Sequence, residues 1–110
     1  MTLHTAVVKV EEEKISSKKA KEFILSKKNG AESIFVGRVR NENNGKKVIA
    51  VTYDVHDQAV IESFQSICVD AKSKFDKSAR IFLEHAKGYV PVSEISILIA
   101  VSSGHRDEAF

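Results

Sequence analysis

The sequence predicts an α+β fold: a largely antiparallel sheet with two helices on one face, in the order β-α-β-β-α-β-β followed by a helix start. Three observations carry this. Short apolar runs with period-two alternation recur along the chain, two segments between them repeat apolar residues at helical spacing, and turn residues mark the junctions. A chain of 110 residues is long enough for one core and too short for two, so residues 1–110 are read as one domain.

His4, Ala6, Val8 and Val10 alternate with Thr5, Val7 and Lys9 as a first strand. Ser16 or Ser17 caps a helix carrying Ala20, Phe23, Ile24 and Lys27, and Asn29-Gly30 supplies its left-handed stop. Lys18, Lys19, Lys21, Lys27 and Lys28 form its solvated face. Ile34 to Val39 is the second strand, and Asn43-Asn44-Gly45 marks a turn. Val48 to Val55 is apolar on both faces, so this third strand is covered on both sides or lies at an interface. From about Asp57, Val60, Phe64, Ile67, Cys68, Ala71 and Phe75 keep a helical period. Ile81–Leu83 and Ile95–Val101 complete the sheet, split by the segment Lys87 to Ser93, and Asp107–Phe110 opens a helix.

Composition narrows the function. Hydrophobic residues at 43% and charged residues at 29% describe an ordinary globular protein. A net charge of +2 gives no expectation of nucleic-acid binding. There is no apolar run of about 18 residues and no secretory leader, so no membrane role is expected. A single cysteine fits a reducing cytoplasm. Cys68 lies on the apolar stripe of its helix and reads as a structural thiol. His56 and His85 lack a second ligand at metal spacing, so no metal is expected. Phosphate-loop, nucleophile-elbow and dithiol motifs are missing.

What remains is positive charge at strand ends. Arg38 and Arg40 share a face at the end of the second strand, where Gly37 admits a close neighbour. They are either two surface arginines or half of an anion pocket. His105-Arg106 follows Ser102-Ser103-Gly104 at the start of the last helix. That pair either lines an anion site at the helix N-terminus or is solvated beside a capping serine. Phe35 faces away from the main core or packs within it.

These residues give the chain a resemblance to the large (catalytic) subunit of molybdopterin synthase. Gly30, Ala31, Phe35, Gly37, Val39, Arg40 and Asn41 match one family pattern. Val101, Ser102, Ser103, His105, Arg106, Ala109 and Phe110 match a second, and Gly88 after His85 matches a further glycine. The resemblance implies the family's hammerhead fold and a cytoplasmic sulfurtransferase of molybdenum cofactor biosynthesis that needs no cofactor of its own. The sulfur donor would be the thiocarboxylated Gly-Gly C-terminus of a small ubiquitin-like subunit, and the acceptor cyclic pyranopterin monophosphate. A central homodimer with a small subunit at each end, a heterotetramer, is implied as well. Arg40 would be a catalytic contact, with Phe35, Arg40, His105 and Arg106 binding substrate. The sequence departs from the family in lacking Trp and in ending before the segment that carries its two catalytic lysines. Ala86 stands where many relatives carry arginine, with Lys87 the nearest basic residue. The expectation is a synthase subunit truncated at its C-terminus, the alternative a non-catalytic scaffold that binds the Gly-Gly tail.

Overall fold

The computed structural model describes residues 1–110. Its elements are β1 (Leu3–Lys9), α1 (Ser17–Ile24), β2 (Ala31–Arg38), β3 (Glu42–Asn43), β4 (Lys46–Lys47), β5 (Ala50–Tyr53), α2 (Asp57–Lys74), β6 (Arg80–Pro91), β7 (Ile95–Ser103) and α3 (Arg106–Ala109). The main sheet runs β1-β6-β7-β2, with β5 added to the far half of β6. All pairs are antiparallel except β1 and β6, which are parallel. The α+β class and the mainly antiparallel sheet are as the sequence predicts.

The helices, however, do not share a face. Phe82, Ala86, Leu98 and Ala100 point to the side where α1 buries Ala20 and Ile24. Ile81 and Leu83 point to the other side, against Cys68 and Phe64 of α2. Strand alternation sends neighbouring residues of β6 to opposite layers, so this strand is apolar on both faces. The expected one-sided arrangement is therefore corrected to a sheet between two helices.

Two boundaries also differ. Ser16 does cap α1, accepting from the Lys19 N–H at 3.3 Å, yet the helix stops at Ile24 with an extended C-cap at Leu25. Asn29-Gly30 is thus no helix stop. Asn29 is buried instead, and its Nδ2 donates to the Ser78 carbonyl and the Ser102 hydroxyl, both at 3.1 Å. The segment Lys87 to Ser93 does not break the sheet, because β6 runs on to Pro91. Its first half pairs with β1 and β7, and Gly88–Pro91 pairs with β5. At the handover Gly88 takes φ +107, and the Glu11 carboxylate fills the space a side chain would need. The expected turn at Asn43-Asn44-Gly45 is a β3–β4 hairpin, with Asn44 at φ 51 and Gly45 at φ 78.

β5 is the least covered strand of the main sheet. Ile49, just before it, is 78% exposed and Val51 36% exposed. Its two-sided apolar pattern is not satisfied within the chain.

Candidate anion site in two halves

The predicted cationic residues lie at opposite ends of one ladder, with Phe35 at its middle. β2 and β7 pair antiparallel, with Ala31 opposite Ser103 and Arg38 opposite Ile95. Arg40 therefore lies beyond one end, and His105 and Arg106 beyond the other. An eight-residue strand rising about 3.3 Å per residue sets these ends roughly 23 Å apart. Within one protomer the two groups do not meet.

At the first end, Arg38 and Arg40 border a shallow cleft of about 200 Å³, together with Glu42, Asn43, Val51 and Tyr53. Val39 between them is buried and anchors the segment, its N–H donating to the Glu94 carbonyl at 3.1 Å. Arg38 is held by its own chain, Nη1 donating to the Ser93 carbonyl at 2.8 Å. Arg40 is exposed, with its guanidinium donors free for an anion. The close neighbour that Gly37 admits is Ile97, whose methyl would lie 2.6 Å from an added Cβ. Phe35 is 59% exposed. It stands opposite Ile99 on the α2 side of the sheet, but α2 packs over β1, so the ring is left uncovered.

At the second end His105 and Arg106 are both exposed. The serines before them do not cap α3. Ser102 and Ser103 are fully buried; Ser102 Oγ donates to the Ile24 carbonyl at 2.6 Å and Ser103 Oγ to Asp76 Oδ2 at 2.5 Å. His105 is the N-cap and makes no side-chain cap bond. The Gly104 N–H is already engaged, donating to Asp76 at 3.0 Å. What this end offers to an anion is the imidazole and the guanidinium rather than the four-residue helix.

Asp76 lies outside the sequence motifs. Donors from Ser103, Gly104 and Ser78 hold its carboxyl well below the usual carboxylate range. The Asp-x-Ser spacing of Asp76 and Ser78 is a local turn signal, but its link to Ser103 is long-range. Beside the family's histidine position, Ala86 is fully buried under α1 and Lys87 pairs with Asp57 at 2.8 Å. That hydrogen bond lowers the Asp57 pKa and raises that of Lys87, so Lys87 is committed to a local pair. No helix is long and apolar enough to cross a membrane.

Comparison with known proteins decides the family. The family model described as MoaE protein matches residues 10–110. The chain belongs to the MoaE family. A molybdopterin synthase catalytic subunit from Taeniopygia guttata is 37% identical over 102 residues, 93% of this chain and 66% of that relative. The subunit of the same name from Homo sapiens is 41% identical over 101 residues, 91% of this chain and 53% of its own. The crystal structure of molybdopterin synthase from Staphylococcus aureus superposes with a TM-score of 0.86 at 28% identity, over 94% of this chain and 73% of that one. A Helicobacter pylori complex of subunits 1 and 2 of molybdopterin-converting factor shares the fold, with a TM-score of 0.71 at 22% identity over 99% of this chain and 70% of that one. The chain thus spans less than two thirds of the length of the curated MoaE relatives it matches.

Proposed function

We propose that this MoaE-family chain is a sulfurtransferase, the large subunit of a molybdopterin synthase. In this reading it takes sulfur from the thiocarboxylated Gly-Gly tail of a small ubiquitin-like subunit and delivers it to cyclic pyranopterin monophosphate. Both substrates are anions, which guanidinium forks and imidazolium bind through charge-assisted hydrogen bonds. The names of the relatives that match over nine tenths of the chain support the reading. A cytoplasmic setting belongs to the same proposal, supported by a lone, buried cysteine.

The observation that carries it is the exposure of two cationic groups, Arg40 and His105–Arg106, at the two ends of the β2–β7 ladder. Arg40 with Phe35, and His105 with Arg106, build one pocket when two copies pair so that one end of a ladder meets the other end of its partner's. A homodimer is therefore part of the function, and the uncovered Ile49 and Val51 beside the Arg40 cleft supply apolar surface for it.

The test incubates the chain with thiocarboxylated small subunit and cyclic pyranopterin monophosphate and assays for the dithiolene product. Product is the expected result. Product only after a family-like C-terminal segment is appended assigns the lysine chemistry to that segment. Tight association with the small subunit but no product in either form would leave the tail-binding scaffold as the function.

A further inference from the structure

The His105–Arg106 pair is exposed and has no side-chain anchor of its own, yet the backbone that delivers it is tied on both sides of one carboxylate. Asp76 follows the C-cap of α2 and lies 27 residues before Ser103. Its Oδ2 accepts from Ser103 Oγ at 2.5 Å and from the Gly104 N–H at 3.0 Å. Its Oδ1 accepts from the Ser78 N–H at 2.8 Å and from Ser78 Oγ at 2.7 Å. Behind this bridge the buried Asn29 joins the Ser78 carbonyl to the Ser102 hydroxyl. The last residues of β7 are thereby fastened to the α2–β6 loop immediately before the two cationic side chains emerge.

We propose that Asp76 is the positioning residue for the anion-binding pair His105–Arg106, acting through Ser103 and Gly104; this rests on the reading of that pair given above. Only an ionised carboxylate fits the position. Both oxygens must accept, two donors each, and an asparagine amide of the same shape would turn an NH₂ towards either Ser78 or the Gly104 N–H. A guanidinium gains its advantage from fork geometry, so a shift of about 1 Å in the segment that carries it is enough to lose much of the contact. The strong depression of the Asp76 pKa by its hydrogen bonds is consistent with a carboxylate that stays ionised at neutral pH.

The experiment titrates cyclic pyranopterin monophosphate into the full chain by calorimetry, comparing wild type, Asp76→Asn, Arg106→Ala and the double variant. Ser103→Ala serves as a milder second probe that keeps the Gly104 contact. The expected result is a loss of affinity of about tenfold for Asp76→Asn and about threefold for Ser103→Ala. The double variant should lose less affinity than the product of the two single losses, because part of the Asp76 effect runs through Arg106 itself. A purely structural role would give losses that multiply. If Arg106→Ala weakens binding while Asp76→Asn and Ser103→Ala bind like wild type, or if the losses multiply, the positioning role is overturned. If neither Arg106→Ala nor His105→Ala weakens binding, the site reading itself fails and takes this inference with it. Should Asp76→Asn not fold, Ser103→Ala combined with Arg106→Ala decides by the same criterion.

Discussion

Arg40 and His105 stand at opposite ends of the β2–β7 ladder, Arg40 two residues beyond Arg38 and His105 two residues beyond Ser103. No side-chain rotation brings them together, since a side chain reaches a few ångströms and the ladder is several times longer. A single protomer therefore presents the two cationic groups at separate ends of the ladder. This relationship turns oligomerisation from an accessory property into a condition for the proposed chemistry.

The Asp76 bridge sets an acid limit on stability. Its folded pKa lies below the unfolded value of about 3.9. The stabilisation is then complete above that value and drains away as pH falls through it towards the folded pKa. Thermal unfolding of wild type should fall steeply below about pH 4. Asp76→Asn should start lower at neutral pH and fall less over the same range. Parallel curves for the two proteins would contradict the linkage.

Cys68 should be inert in the folded protein. It is 3% exposed under the sheet, and burial pushes its thiol pKa up, which suppresses the thiolate that alkylating agents attack. Iodoacetamide at neutral pH should leave the native chain unmodified and label it once denaturant unfolds it. Rapid labelling of the folded chain would show that α2 opens readily.

Ser102 joins three elements with one hydroxyl, donating to the Ile24 carbonyl and accepting from Asn29. Ser102→Ala strands the buried Ile24 carbonyl and takes one of several partners from the Asn29 amide, at a cost of about 2 kcal/mol in urea denaturation. A change within about 0.5 kcal/mol would mean that the two groups find other partners.

Ile49 offers a way to test the dimer without disturbing the protomer. Its side chain is largely exposed, so Ile49→Lys removes no core contact. Sedimentation should show a dimer for wild type and a monomer of unchanged melting temperature for the variant. A dimer that survives the substitution would place the interface elsewhere.

Much of this architecture is legible in the residues. The α1 cap at Ser16, the Asn44-Gly45 hairpin and the alternation of β7 are local signals and appear where the pattern puts them. The α2 helix is present over its periodic stretch, although Ile67 and Phe75 of that stripe are exposed. What could not be read is long-range. Lys87–Pro91 looks like a break in the sheet because it carries Gly88 and Pro91, yet β5 captures it as a strand by pairing. The side chosen by each helix depends on which neighbour of β6 it meets, information that no local period holds. The candidate site shows the same limit: the motifs point to Phe35, Arg40, His105 and Arg106, whereas their separation follows from antiparallel pairing, and Asp76 enters only through contacts made across the fold.

The most direct test of the shared pocket is complementation between Arg40→Ala and His105→Ala, with cyclic pyranopterin monophosphate binding counted by calorimetry. Each variant alone damages every pocket of its homodimer. In a mixed dimer both lesions fall in one pocket and the other is intact, so an equal mixture should regain about a quarter of the wild-type sites. Mixed dimers that form yet regain no sites would contradict a pocket built from two protomers.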